Sequence, residues 1–286
     1  MGQIRRSLAL AALVGALALS GCSGPSSSDA ATSTTAPRST TTAAPRVWAA
    51  RVSGESDVDG NFRQGIARSG EQWIFTNNLA LYRTSGTFVK EDAVEGAIPK
   101  VLADQGYDHL GDPDVADGKI WIPVERDDKS KAVQVTARYD EKSLTYQDSF
   151  VVAQHHNAFV SVDAHGVVYS ADQFTDDSLV RYTVSGGKVH QLKPLKMSQT
   201  VDRIQGGDVA DGAIWLSTDD DHNGVYRVDL VTGEVTDLGS MGHIDGEGEG
   251  IDATALPSGL LHPLVADAAI VPMWVVDLKV SSRAAG

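Results

Sequence analysis

The sequence predicts an all-β protein, a five-bladed β-propeller closed by its N-terminal strand. Three observations carry this prediction. A short motif recurs five times at a nearly constant spacing, and each repeat contains short segments of β-forming residues separated by turns. The last repeat also lacks a strand that the start of the chain can supply. No segment has a convincing amphipathic helical period, which argues against a helical α/β array.

The repeat is marked by a glycine just before an apolar pair. The stretch "VADGKIW" around Gly118 returns as "VADGAIW" around Gly212, and weaker copies surround Gly70, Gly166 and Gly259. Successive marker glycines lie 46 to 48 residues apart. A constant period in this range indicates a solenoid or a propeller.

The unit within each repeat favours the propeller. In the fourth repeat a brief strand in "GDVADG" is followed by the strand segments "AIWLSTD", "VYRVDL" and "VTDLG", with turn residues between them. Four short antiparallel strands are typical of a propeller blade. Trp73, Trp121 and Trp215 occupy matching places in their repeats, so we expect them to pack within the blades.

The fifth repeat contains only three strand segments. The segment "RVWAARVS", Arg46 to Ser53, is available at the other end of the chain to form the missing outer strand. Pairing the two ends would close the ring and remove an open sheet edge. The alternative prediction is a six-bladed ring.

The first residues form a targeting segment rather than part of the fold. "MGQIRR" is basic, an apolar run follows, and small residues come after it, as in a signal peptide. The motif Leu19-Ser20-Gly21-Cys22 resembles the lipobox of bacterial lipoproteins, and the resemblance implies cleavage before Cys22 and a lipid on its sulfur. We therefore predict a lipoprotein signal peptide over 1–21, the lipidated Cys22 and a disordered Ser/Thr/Ala/Pro tether over 22–46, and the propeller over 47–286.

These features predict a monomer held by lipid on the extracytoplasmic face of the cell membrane. Residues 47–286 contain 20 Lys and Arg and 37 Asp and Glu, a net charge of −17, which argues against nucleic acid as a partner. The single cysteine excludes intramolecular disulfides. The ligand class, whether small molecule, glycan or protein, stays open.

The repeated segments also resemble secreted bacterial β-propellers. The resemblance rests on "HLGDPDVADGKIWIPVE", "IQGGDVADGAIWLSTDD" and "GEGEGI", and it extends over most of Asn61–Leu278. The family in question has no established activity, so the resemblance implies a propeller fold and no catalytic residue.

The candidate site is the channel mouth, the end of the central channel where the segments leading into the innermost strands gather. Each of the five blades has one such leading segment. All five segments contain polar side chains, and in four of them a glycine lies next to a polar residue. We predict that the ligand residues are Gln64, His109, Asp112, Asp114, His155, His156, Asn157, Gln205, Asp208, Glu247 and Glu249. Among them, Asp112, Asp208 and Glu249 are candidate ligands for a divalent cation, calcium or magnesium.

Two functions fit this set. The first is a module that binds a ligand or partner at the mouth, with or without a cation. The second is a metal-assisted hydrolase of an extracellular ester, lactone, phosphate or glycan, in which a carboxyl group acts as acid or base. A third interpretation applies to each residue alone: its side chain bonds the neighbouring blade and closes the ring. Whether the protein is an enzyme stays open.

Overall fold

The computed structural model of the protein describes residues 46–126, 128–172, 177–266 and 273–285. The predicted signal peptide, the lipobox and the tether up to residue 45 lie outside the described residues. Among the described residues, no helix is long and apolar enough to cross a membrane.

The chain forms five antiparallel sheets in sequence order, after a long first strand β1 (Arg46–Val58). The first sheet contains β2 (Gly65–Ser69), β3 (Gln72–Thr76), β4 (Leu81–Thr84) and β5 (Lys90–Val94). A short helix α1 (Lys100–Ala103) leads to the second, which contains β6 (His109–Leu110), β7 (Asp114–Ala116), β8 (Lys119–Glu125), β9 (Gln134–Asp140) and β10 (Tyr146–Val152).

The third sheet contains β11 (Ser161–Val162), β12 (Val167–Ser170), β13 (Ser178–Ser185), β14 (Lys188–Gln191) and β15 (Leu195–Lys196). The fourth contains β16 (Ile204–Ala210), β17 (Ala213–Thr218), β18 (Gly224–Asp229) and β19 (Val235–Ser240). The fifth contains β20 (Glu247–Asp252), β21 (Leu260–Ala266) and β22 (Met273–Ala284), with a short 3-10 helix (Leu256–Ser258) before β21.

The five sheets are the blades of a five-bladed propeller, as the repeat predicts. The fifth blade has the strand order β1-β22-β21-β20, so the first strand of the chain is its outermost strand. Arg46 lies opposite Ala284 and Val58 lies opposite Met273. The predicted closure is therefore confirmed, and the closing strand is longer than the predicted segment, which ended at Ser53.

The marker glycines lie in turns that need a left-handed backbone. All five have positive φ, between 58° and 80°. Asp117 and Asp211, which precede two of them, also have positive φ, 52° and 51°. Two consecutive residues with positive φ form the type I′ turn of a tight hairpin, and glycine takes this conformation without steric cost. The recurrent "VADG" is thus the turn between the first and second strands of a blade.

The tryptophans of the second strands are buried packing residues of the blades, as predicted. Trp73, Trp121 and Trp215 are all buried. Across the sheet, the guanidinium of Arg138 lies 5.0 Å from the ring centre of Trp121. Trp215 also contacts Trp48 of the closing strand edge to face, with ring centres 5.5 Å apart. The closing strand is therefore fixed by side-chain packing as well as by the sheet.

Candidate functional site

Asp112 lies at the centre of the ring, where it is fully buried. Its Oδ1 accepts a hydrogen bond from the amide of Ile66 at 2.9 Å. Its Oδ2 accepts from the amides of Gly207 at 3.1 Å and Ile251 at 3.3 Å. One carboxyl group thus joins the second blade to the first, fourth and fifth blades.

The backbone of Asp112 bonds the remaining blade. Its amide donates to the carbonyl of Ala158 at 2.8 Å, and its carbonyl accepts from the amide of Val160 at 3.2 Å. These bonds form a short parallel bridge between Asp112 and Phe159. Asp112 therefore makes hydrogen bonds to all four other blades.

Glycines make room for this carboxyl group. A Cβ on Gly250 would lie 2.0 Å from Oδ1 of Asp112, and a Cβ on Gly65 would lie 2.4 Å from its Cα. Both distances are well below van der Waals contact, so a side chain at either position would displace Asp112. The glycines beside the polar residues of the inner strands thus serve the close approach of backbones at the centre.

A second set of polar side chains links four of the five blades to the blade that follows. Four equivalent inner-strand positions carry a side-chain oxygen that accepts an amide hydrogen bond from the following blade, and the fifth equivalent position is Ala67. The pairs are Asp114 with Val162 at 2.7 Å, Ser161 with Val209 at 2.9 Å, Asp208 with Ala253 at 2.7 Å, and Asp252 with Arg68 at 3.1 Å. Buried amides are normally hydrogen-bonded, and these side chains supply the acceptors where two blades meet.

The pKa values of the central aspartates are raised. Burial raises the pKa of Asp112 and of Asp208 well above the usual value, and it raises the pKa of Asp114 to about 6. The amide donors oppose this effect because they stabilise the ionised carboxylate. These two opposing effects are expected for carboxyl groups that have lost their hydrating water and bond the amides of neighbouring blades instead.

The predicted cation ligands are not assembled as a metal site. The carboxyl groups of Asp112 and Asp208 are taken up by amides of neighbouring blades, which leaves only Glu249 of the three. No group of three or more His, Cys, Asp or Glu side chains in the described parts of the chain could hold a metal ion. The side chains of Asp112, Asp208 and Asp114 therefore bond neighbouring blades, as the third interpretation of the sequence expects.

His155, His156 and Asn157 belong to the contact between the second and third blades. His156 is buried with its Nδ1 3.6 Å from Oε1 of Glu125, and Oε2 of Glu125 accepts from Nζ of Lys129 at 2.6 Å. The amide of Asn157 also donates to Glu125. Burial disfavours the charged form of Glu125, but the bonds from His156 and Lys129 outweigh it and lower the pKa of Glu125 to about 2.

The other members of this group have equally local roles. His155 is exposed and its Nδ1 lies 2.8 Å from the carbonyl oxygen of Lys129. The side-chain amide of Asn157 donates to the carbonyl of Val135 at 2.9 Å. His109 lies in β6 opposite Glu125. The sequence did not single out Glu125, although a signal was present: an acidic residue follows the marker glycine by six or seven positions in three repeats.

Gln64, Gln205 and Glu249 form the inner ring of the mouth. Each directly precedes a glycine at the centre, and these glycines are in contact. A Cβ on Gly206 would lie 2.6 Å from Cα of Gly250, and a Cβ on Gly250 would lie 2.7 Å from Cα of Gly65. The two glutamines are half-buried, whereas Glu249 is buried with 3% of its surface exposed.

The carboxyl group of Glu249 differs from the others in its surroundings. Within the described ranges, no hydrogen-bond donor to this carboxyl group is present, whereas Asp112 has three. Burial raises the pKa of Glu249 well above its usual value, the charges of Glu247 and Asp112 raise it further, and the guanidinium of Arg63 opposes the shift. Glu247, the last predicted residue, is exposed at the start of β20. In the described parts of the chain, the carboxyl group of Glu249 thus has no donor, and its oxygens are not among the fully enclosed polar atoms that lack a partner.

Comparisons with known proteins support the fold. No protein-family model matches the sequence. No curated protein sequence matches it either. Among solved structures, a luciferin-regenerating enzyme is 11% identical, with a TM-score of 0.51 over 76% of this chain and 77% of that chain.

Two further solved structures show the same similarity. A glucose dehydrogenase is 11% identical, with a TM-score of 0.51 over 78% of this chain and 99% of that chain. Regucalcin, a calcium-binding protein from Agrobacterium tumefaciens str. C58, is 13% identical, with a TM-score of 0.50 over 75% of this chain and 76% of that chain. At such identities the likeness concerns the β-propeller fold alone, and it agrees with the propeller that the sequence predicts.

Proposed function

We propose that the protein is a lipid-anchored binding module of the cell envelope that takes a polar ligand at the channel mouth. The ligand contacts Glu249, Gln64 and Gln205. The observation that carries this proposal is the burial of Glu249 without a donor from the described residues. The carboxyl oxygens of Glu249 are not among the fully enclosed polar atoms that lack a partner. A ligand in the channel can therefore bond this carboxyl group, for which the described residues supply no donor.

The chemistry of the ring defines the ligand. A carboxyl group with a raised pKa bonds hydroxyl groups well, because it can donate as an acid and accept as a carboxylate. Carboxamides also donate and accept. A divalent cation such as calcium would use the same oxygens, since Glu249 and the two amide oxygens lie in one ring. Asp112 and Asp208 take no part in either case.

Binding is better supported than hydrolysis. A raised pKa suits a general acid, and Glu249 has one. Hydrolysis also needs a second group to activate water. Asp112, whose charge acts on Glu249, is held by three amides and cannot turn towards a substrate.

The proposal predicts opposite effects for two buried glutamates. Glu249→Gln removes a carboxyl group that burial disfavours, so we expect the full-length variant to melt at or above the wild-type temperature. Glu125→Gln is the matched control: it weakens the bonds with His156 and Lys129 and should cost about 2 kcal/mol of unfolding free energy. Differential scanning calorimetry measures both.

A large loss of stability in Glu249→Gln, comparable with that in Glu125→Gln, would show that Glu249 serves the fold rather than a ligand. Titration of the same proteins with calcium chloride decides the cation question. A calcium ligand would raise the melting temperature of the wild-type protein. The rise should then be absent in Glu249→Gln and present in Glu125→Gln.

The anchor is a separate part of the proposal, based on the lipobox at Leu19–Cys22. A Cys22→Ala variant should lose its lipid and leave the membrane fraction, because a single lipid-bearing thiol carries the attachment. Fractionation of cells that produce the variant measures this. A variant that stays with the membrane after a high-salt wash contradicts lipid anchoring through Cys22.

A further inference from the structure

A groove opens beside the mouth, over the first blade. It is a cavity of about 530 Å³, and it shares Arg63 and Gln64 with the mouth. Its lining residues are Asn61, Arg63, Gln64, Asn77, Asn78, Leu79, Ala80, Tyr82 and Glu95. Since Gln64 belongs to the inner ring, a ligand in the groove can extend to Glu249.

The groove lies at the short connection between the second and third strands of the first blade. This connection has four residues, 77–80, and all four line the groove. The connection at 219–223 in the fourth blade, which the structure also describes in full, is one residue longer. A short loop leaves room beside Gln64 for an elongated ligand.

The groove is lined by carboxamides. Asn77 shapes the short loop, because its Oδ1 accepts from the amides of Leu79 at 2.9 Å and Ala80 at 2.7 Å and its Nδ2 donates to Tyr82 at 3.0 Å. The side-chain carboxamides of Asn78 and Gln64 make no hydrogen bond to other described residues. These two side chains are free to bond a ligand.

The charge of the groove is balanced. Its charged lining residues are Arg63 and Glu95, one of each sign. The domain around it is strongly acidic, which repels polyanions. Carboxamides donate and accept at once, as hydroxyl groups do, and so they pair with neighbouring hydroxyl groups of a neutral sugar.

We propose that the groove binds a neutral oligosaccharide, one end of which enters the mouth and bonds Glu249. This inference rests on the proposed function for its inner end and adds the ligand class and the path. Tyr82 is buried and offers no face for stacking, so binding depends on hydrogen bonds and on the exposed side chain of Leu79. We expect weak affinity, because hydrogen bonds between neutral groups replace bonds to water and each contributes little.

The test uses the full-length protein and isothermal titration with neutral hexasaccharides of glucose, mannose and N-acetylglucosamine. A hexasaccharide of uronic acid and a neutral hexapeptide serve as competing ligand classes. The groove variant is Asn78→Ala, and the matched control is Gln191→Ala, an exposed carboxamide on β14 of the third blade. We expect at least one neutral hexasaccharide to bind, and Asn78→Ala to weaken it about tenfold.

Other results separate the groove from the mouth. If Asn78→Ala weakens sugar binding and Glu249→Gln does not, the groove stands and the proposed mouth site is wrong. If Glu249→Gln abolishes binding and Asn78→Ala binds like Gln191→Ala, the groove is wrong and the mouth site stands. Absence of binding to every neutral sugar, or preference for the uronic acid or the peptide, overturns the inference.

Discussion

Asp112→Ala is expected to lower the free energy of unfolding by about 3 kcal/mol or more, which is a large part of the stability of a typical domain. The substitution removes the acceptor of three buried amides, those of Ile66, Gly207 and Ile251. Each amide would lose its partner in a space that water reaches poorly. Because the amides belong to three blades, the loss should loosen the centre of the ring. Urea denaturation followed by circular dichroism measures the change.

Two further variants make the result specific. Asp108→Ala removes an exposed aspartate from the segment leading to the same inner strand and should leave stability almost unchanged. Asp112→Asn keeps the shape and one oxygen but places an amide group against amide donors, so it should fall between the two. If Asp112→Ala unfolds at the same urea concentration as Asp108→Ala, the carboxyl group does not join the blades.

Removal of the closing strand is expected to have the largest effect of all. A chain that begins at residue 59 lacks β1, which pairs with β22 from Arg46 to Val58. It also lacks Trp48, which packs on Trp215 and lies 4.6 Å from the guanidinium of Arg227. The exposed edge of β22 would then be free to pair with other chains. We expect loss of the cooperative melting transition and aggregation in size-exclusion chromatography.

The matched control is a chain that begins at residue 46, which keeps the whole of β1. It should melt cooperatively at the temperature of the full-length protein. Cooperative melting of the shorter chain at that same temperature would mean that the ring does not need its closing strand.

The fold was predictable because its signals are local and repeated. Each "VADG" marks a turn whose backbone geometry favours glycine, and the spacing of the marker glycines then gives the number of blades. The missing fourth strand of the last blade pointed to "RVWAARVS" at the start of the chain. Only the end of that strand was misjudged, because "GESDV" is polar and its pairing with β22 depends on the partner strand.

The site was only partly predictable. Asp112 and Glu249 both lie beside glycine in acidic segments, and composition does not separate them. Their register does: Asp112 is equivalent to Gly65, Gly206 and Gly250 at the centre, whereas Glu249 is equivalent to Gln64 and Gln205 in the ring above it. A shift of one residue in a strand reverses the face of a side chain. Which acid bonds the neighbouring blades and which has no donor among the described residues therefore needed the three-dimensional structure.

Asp112 belongs to the fold, and we propose that Glu249 is therefore the acid that meets the ligand. Amide hydrogen exchange by NMR at Ile66, Gly207 and Ile251 tests whether the carboxyl group of Asp112 holds these amides. We predict that all three are among the slowest-exchanging amides of the protein, and that Asp112→Asn accelerates them more than other amides of the inner strands. If these three amides exchange as fast as those of exposed loops in the wild-type protein, the carboxyl group of Asp112 is not bonded to them and its assignment to the fold is wrong.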